Sequence, residues 1–459
     1  MSLSRAHHHQ SSRIDHLRSC RSHRNQSSWS HRNQSSRRHH LLFFLFAFTA
    51  TPALAQYNGT EPGRAQQIVP GRTNGKEQQQ KPYLIMISGD GFRYDLADKY
   101  KAVHLLELRS NGVAATSMQP GYPSLTFPNH YALATGMYPS HHGLVNNTFY
   151  DAGKGKMYRI NDRRAVADSS WYGGTPVWTL AEQQHMLTAS FFWVGSEAAI
   201  QGVRPTYYYR FNDSIELDTR IQAVKNWLQL PPETRPHLIT FYLSQVDHAE
   251  HMNGVDSKKT EEAVHIVDDC IGKMVSELES LHLPISYIFV SDHGMATEDT
   301  LHTLSLPPAV DTTKFIVADG EALLELYAKD KKDVPAAYKA LKAQADGFDV
   351  YLPDETPAGW HYRSADDRYN RIGDILLVSK FPRGWNIRHR KPIPGMHGFD
   401  NSIPEMQATF YAWGPAFRQH LQIGAFSNVD VYPLIAKVLG LSITEKIDGS
   451  PDTLKDILR

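Results

Sequence analysis

Three apolar runs in this chain end in the same way. Residues 83–88 read YLIMIS and open into Gly89-Asp90-Gly91; residues 237–247 read HLITFYLSQVD and end on Asp247; residues 286–294 read SYIFVSDHG and carry Asp292 and His293. A run that is apolar throughout, with no polar alternation, fits a strand buried on both faces, as in parallel sheets. Helical patterns lie between them, LDTRIQAVKNWLQL at 217–230 and TEEAVHIVDDCIGKMVSELESL at 260–281. Strand, helix and strand at this spacing predict parallel βαβ units, hence an α/β fold with a mostly parallel central sheet flanked by helices. Ligands of such sheets gather beyond the carboxyl ends of the strands. Three strands are therefore expected to deliver Asp and His to one edge.

The residues collected there are Asp90, Asp247, His251, Asp292, His293 and, from GMHG near the carboxyl end, His397. Asp247 and His251 are four apart and would share a helical face. Asp292 and His293 are adjacent and would leave the chain on different sides. Singly, each motif reads as a surface pair or a turn; together, at strand ends, they read as a metal site. Mixed carboxylate and imidazole donors suit zinc or manganese better than calcium, and six such ligands suffice for two ions, an arrangement that can stabilise both oxygens of a phosphoryl displacement. Thr126, in YPSLTFPNHYALATG, stands at the start of a predicted helix with Pro128 in its first turn and Gly136 as its stop. It is either a helix cap or a hydroxyl placed where the helix start favours phosphate.

The rest of the chain narrows the setting. Of 459 residues 41% are apolar and 21% charged, with a formal net charge of zero, so a substantial core is expected and no general affinity for nucleic acid. Residues 1–40 are a low-complexity leader rich in Ser, Arg and His. Residues 41–55, LLFFLFAFTATPALA, have the pattern of a secretory signal cut after Ala55, with an uncleaved membrane anchor as the alternative. Residues 56–80 read as a polar linker, and residues 81–459 as the catalytic domain, with 300–395 a smaller inserted strand-and-helix subdomain. Cleavage would leave Cys270 as one thiol, a buried apolar residue of a helix, which excludes a disulfide scaffold and a Cys-based zinc site. Asn58, Asn146 and Asn212 fit the glycosylation acceptor pattern.

Taken together, SGDGFR (88–93), YPSLTFPNHYALATGMYPSHHGLVNN (122–147), WYGGTPVW (171–178), FFWVGSEAAIQGVRP (191–205), VDHAEH (246–251), VSDHGM (290–295) and HGFDN (397–401) resemble the nucleotide pyrophosphatase/phosphodiesterase family of the alkaline-phosphatase superfamily. The likeness covers about residues 81–458. It implies an alkaline-phosphatase-like fold and two zinc ions per chain, one held by Asp247, His251 and His397, the other by Asp90, Asp292, His293 and the Thr126 oxygen. It implies that Thr126 attacks phosphorus and carries the nucleotide as a covalent intermediate, which water then releases. Asn147, with the backbone N–H beside Thr126, would hold a non-bridging phosphate oxygen; Phe127 and Phe211 would stack on the base. Glu250 departs from the family, which has Gly there; it would orient the His251 ring or face solvent. The likeness is to the catalytic part alone, and counterparts of the cysteine-rich amino-terminal modules and nuclease-like tail of longer animal members are not expected.

The resulting expectation is a secreted, two-zinc hydrolase that cleaves phosphodiester and pyrophosphate bonds of nucleotides to nucleoside monophosphates. The rivals are the same chemistry on a lipid or choline phosphodiester, which the aromatic clasp argues against, and a non-catalytic zinc-binding ectodomain, which predicts broken ligands. The expected partner is a small phosphodiester substrate, with no specific binding to nucleic-acid duplexes and no membrane span once the signal is removed.

Overall fold

The computed structural model describes residues 64–459. The leader, the 41–55 segment and Asn58 lie outside the described residues. At the centre is a nine-stranded mixed sheet. In spatial order its strands are Gln67–Ile68, Tyr207–Tyr209, Thr188–Phe191, Leu238–Leu243, Tyr83–Gly89, Ile285–Val290, Phe410–Trp413, Val113–Ala115 and Leu421–Ile423. The three strands expected from their apolar runs are neighbours and parallel in the middle of the sheet, and every residue of the 83–89 and 285–290 strands is buried. Their registers match: Ser88 lies level with Val290 on one side and Tyr242 on the other, so Asp90, Asp292 and the turn into Asp247 emerge at one level.

Helices cover both faces, as sheets apolar on both sides require. Helices Leu217–Leu228 and Lys258–Glu279 pack their apolar stripes on one face, with Val224, Trp227, Val264, Ile271 and Met274 in that core. The 258–279 helix starts on a side-chain cap, Ser257 accepting from Thr260 N at 3.1 Å. Cys270 is buried in it, and burial pushes its thiol up to about 12. Helices Thr126–Thr135, Val177–Gln183 and Val431–Leu439 lie over the other core. A separate antiparallel sheet of four strands, Phe315–Gly320, Leu323–Ala328, Ile375–Ser379 and Phe348–Tyr351, packs with helix Val334–Gln344 around its own apolar cluster. Among the described residues no helix is long and apolar enough to cross a membrane.

Two expectations change. The described part of the 56–80 stretch is not a free linker: Gln67–Ile68 pairs with Tyr207 and Tyr208 at the sheet edge. Asn74, buried, donates to Pro232 O and Arg235 O at 2.9 and 2.7 Å and accepts from Leu187 N at 2.7 Å. Its polarity is consumed by backbone groups, which composition could not show. Asn146 is no glycan acceptor in this fold. It is fully buried, its Nδ2 donates to Glu325 Oε2 at 3.2 Å, and Gly320 packs against it. Asn212 is half-buried. Replacing Asn74 by Ala should lower unfolding stability by about 2–4 kcal/mol, since two carbonyls and one N–H lose their partner; urea unfolding measures this, and a change within error would mean that the segment is dispensable.

Candidate metal centre

Asp90 and Asp292 leave the 83–89 and 285–290 strands one and two residues past their ends, and both are buried. Asp247 and His251 sit one helical turn apart on helix Gln245–Asn253, with Asp247 Oδ1 3.4 Å from His251 Nε2. His397 follows the short strand Gly395–Met396, and its Nε2 lies 3.7 Å from the same oxygen. His293 Nε2 is 3.0 Å from Asp292 Oδ2 and 3.6 Å from Asp90 Oδ1. Adjacent Asp292 and His293 therefore converge rather than diverge, because the chain has left its strand before them and strand alternation no longer applies. The donors fall into overlapping groups, Asp90–Asp292–His293, Asp247–His293–His397 and His251–Glu321–His397.

The hydrogen bonds fix which atoms face inward. His251 Nδ1–H donates to Gly395 O at 2.9 Å, His293 Nδ1–H to Gly294 O at 2.8 Å, and His397 Nδ1–H to Ser124 O at 3.0 Å. A carbonyl only accepts, so each ring carries a proton on Nδ1 and turns Nε2 to the carboxylates. Asp90 Oδ2 accepts from Tyr242 OH at 2.5 Å and Asp292 Oδ1 from Gly91 N at 3.2 Å. Among the described residues, Asp90 Oδ1, Asp247 Oδ1 and Asp292 Oδ2, the oxygens that face the cluster, accept no hydrogen bond. Converging lone pairs with orphaned buried oxygens form a donor set for a divalent cation, and these residues fit one.

Protein charges alone balance poorly. Burial, then Asp292 and Asp247, raise the Asp90 carboxyl. Burial disfavours charge on His251 and His293, but Asp247 and Asp292 override it and lift each to about 10. His397, buried against those two charged rings, is pushed well below its ordinary value. It stacks on His293 with centroids 3.8 Å apart, which sets two cations face to face if both are protonated.

Thr126 is the first residue of its helix, after Leu125 in extended geometry, and its hydroxyl caps nothing. Oγ1 lies 3.2 Å from His293 Nε2. Asn147 is close, but Phe127 N–H donates to Asn147 Oδ1 at 3.0 Å. The N–H expected to face phosphate is thus tied to Asn147, which leaves Asn147 Nδ2 as the free donor of the pair. Phe127, half-buried, and Phe211, exposed, both line a cavity of about 440 Å³ that also includes Asp90, Thr126, Tyr242 and Asp247. Glu250 does neither thing expected of it. It is fully buried, its oxygens accept no hydrogen bond among the described residues, Oε2 faces Gly91, and Gly395 O rather than Glu250 orients His251.

Sequence reasoning missed three residues. His130 is buried one turn past Thr126; its Nδ1–H lies 3.0 Å from Thr126 O and 3.1 Å from Asp292 Oδ2, and Ser88 Oγ is 2.8 Å from Nε2. Its i+4 spacing from Thr126 was the available signal. Tyr242 gave none beyond its place at a strand end. Glu321, in the turn between two strands of the smaller sheet, brings Oε2 to 3.8 Å from His397 Nε2; its distance in sequence hid it.

Loading a divalent cation should release roughly two protons per chain near neutral pH, from His251 and His293. Calorimetric titration in buffers of different ionisation enthalpy reads that number. Zero release would mean that the rings do not hold the ion.

The sequence model of the Type I phosphodiesterase / nucleotide pyrophosphatase family matches residues 84–400. The chain is 30% identical over 401 residues to ectonucleotide pyrophosphatase/phosphodiesterase family member 1 of Mus musculus, an alignment covering 83% of this chain and 43% of that protein. It is 30% identical over 395 residues to an uncharacterized pyrophosphatase/phosphodiesterase of Schizosaccharomyces pombe, covering 82% of this chain and 80% of that one. Murine ectonucleotide pyrophosphatase / phosphodiesterase 5, solved as an inactive Thr-to-Ala form in complex with AMP, superposes with a TM-score of 0.76 at 27% identity, over 83% of this chain and 100% of that one.

Proposed function

The chain belongs to the Type I phosphodiesterase / nucleotide pyrophosphatase family, and on that premise we propose that it is a secreted two-zinc hydrolase that cleaves phosphodiester and pyrophosphate bonds of nucleotides, releasing nucleoside monophosphates. One observation carries this reading: Thr126 Oγ1 stands at a helix start, 3.2 Å from His293 Nε2, at the edge of a cluster of orphaned carboxylate oxygens and converging imidazole Nε2 atoms. Two zinc ions, one held by Asp90, Asp292, His293 and Thr126 and one by Asp247, His251 and His397, would ease loss of the Thr126 proton and neutralise charge on the leaving oxygen.

The chain's own groups do the remaining work. Thr126 Oγ1 bonds to phosphorus as the bond to the leaving oxygen breaks, giving a nucleotidyl-threonine; water then bonds to phosphorus and the Oγ1–phosphorus bond breaks. Asn147 Nδ2 presents a neutral donor to a non-bridging oxygen, which suits a diester's single charge better than a further cation would. His130 donates to the Thr126 carbonyl with its ring beside Asp292, and Tyr242 OH donates to Asp90. Phe127 and Phe211 flank the cavity beside Thr126, where a base would stack. The AMP complex of the murine relative supports a nucleotide there.

The zinc-loaded chain should release nitrophenol faster from a nitrophenyl nucleotide ester than from a nitrophenyl phosphate monoester or a choline phosphodiester. Choline diester as the best substrate would overturn the nucleotide assignment. Thr126→Ala should lower kcat by at least about three orders of magnitude while six protein ligands retain most of the metal; near-normal turnover would remove Thr126 as nucleophile.

A further inference from the structure

A second cavity, of about 340 Å³, adjoins the donor cluster at Glu321. Glu321, which joins His251 and His397 in one donor group, lines it. No lining residue is shared with the cavity beside Phe127 and Phe211. The wall carries three carboxylates, Glu298, Asp319 and Glu321, and three cations, Arg388, Arg390 and Lys391. Each carboxylate is already placed. Glu298 is buried beneath Gly384, Asp319 Oδ2 faces Arg388 Nε at 3.7 Å, and Glu321 is turned to His397. The cations are all exposed, and among the described residues neither Arg390 nor Lys391 forms an ion pair. Their loop is held in place: Asn386 N donates to Leu304 O at 2.7 Å, and Asn386 exchanges side-chain hydrogen bonds with the backbone of Arg390 at 2.8 and 2.9 Å.

Resting on the reading above, we propose that this cavity binds an anionic, phosphate-bearing leaving group, which Arg388, Arg390 and Lys391 hold. The chemistry sets the direction. Thr126 approaches phosphorus from the His293 end, and in an in-line displacement the breaking bond points away from the nucleophile. That is toward Asp247, His251 and His397, past Glu321. The nucleoside sits against Phe127 and Phe211, and the departing fragment meets two unpaired cations and a third whose ion pair is long. Guanidinium groups match phosphate oxygens in pairs, and a neutral alcohol or a nitrophenol has nothing for them to hold. The fragment is pyrophosphate when the substrate is a nucleoside triphosphate, and a second nucleotide when it is a dinucleoside polyphosphate.

The test compares the zinc-loaded full chain with R388A/R390A/K391A on three substrates: a nucleoside triphosphate, a dinucleoside polyphosphate and a nitrophenyl nucleotide ester. The triple variant should lose about tenfold or more in kcat/KM on the first two and stay within about twofold on the ester. The difference should shrink as salt rises, because the cations are exposed. Loss on only one polyphosphate substrate identifies which fragment the cavity takes. Parallel loss on all three at unchanged metal content, or loss on none, overturns the proposal. A wild-type chain that turns over none of them refutes the hydrolase reading instead. The cavity is then judged by inorganic pyrophosphate binding, where equal affinity of wild type and variant rejects it.

Discussion

The oxygens of Asp90, Asp247 and Asp292 that accept no hydrogen bond among the described residues converge with the Nε2 atoms of His251, His293 and His397. Buried like charges cost several kcal/mol each unless compensated. The frame imposes the arrangement all the same. Each imidazole is tethered through Nδ1 to a backbone carbonyl, and one of these, Gly395 O, reaches His251 because Gly395 lies so close to Glu250 O that a Cβ would stand 2.3 Å from it. Cations that complete the cluster would then stabilise the fold as well as the chemistry, because the ligands meet only when the chain is folded.

The sheet explains how such distant residues meet. Its three central strands run parallel in matching register and end at one level, so strand ends and the helix after the 238–243 strand supply five of the six candidate ligands. Asp292 and His293 are held from the nucleophile's side, since His130 and Thr126 share one helix face. The outer end is closed by segments far along the chain: His397 after the short 395–396 strand, and Glu321 from the smaller sheet. That sheet reaches the cluster through one tight turn, so Glu321 borders a cation-rimmed cavity that shares no lining residue with the aromatic cavity beside Asp90, Thr126 and Asp247.

Five of the six candidate ligands and Thr126 were legible in sequence because each belongs to a local event: an apolar run that ends in Asp or Asp-His, an i,i+4 pair, a helix that begins beside a proline; His397 was read only from GMHG in conjunction with them. The mostly parallel sheet followed from the same runs, and the structural likeness to the murine relative agrees with the alkaline-phosphatase-like expectation. What stayed hidden depends on contacts between segments far apart. Asn74 looked like linker because its partners lie more than a hundred residues away. Asn146 looked like a surface acceptor until Gly320 and Glu325 covered it. The Phe127 N–H looked free until Asn147 folded back on it. Glu250, read as either an orienting partner or a surface group, is buried and accepts no hydrogen bond among the described residues, and burial, then Asp247, raises its carboxyl.

The central claim is that two adjoining groups of donors hold two separate ions around Thr126. Metal content of the purified chain, with single substitutions on each side, tests it most directly. The account predicts two zinc equivalents in the native chain, and the loss of about one each in Asp247→Ala and in Asp292→Ala with the fold intact. One equivalent or fewer in the native chain, or no loss in either variant, would contradict it.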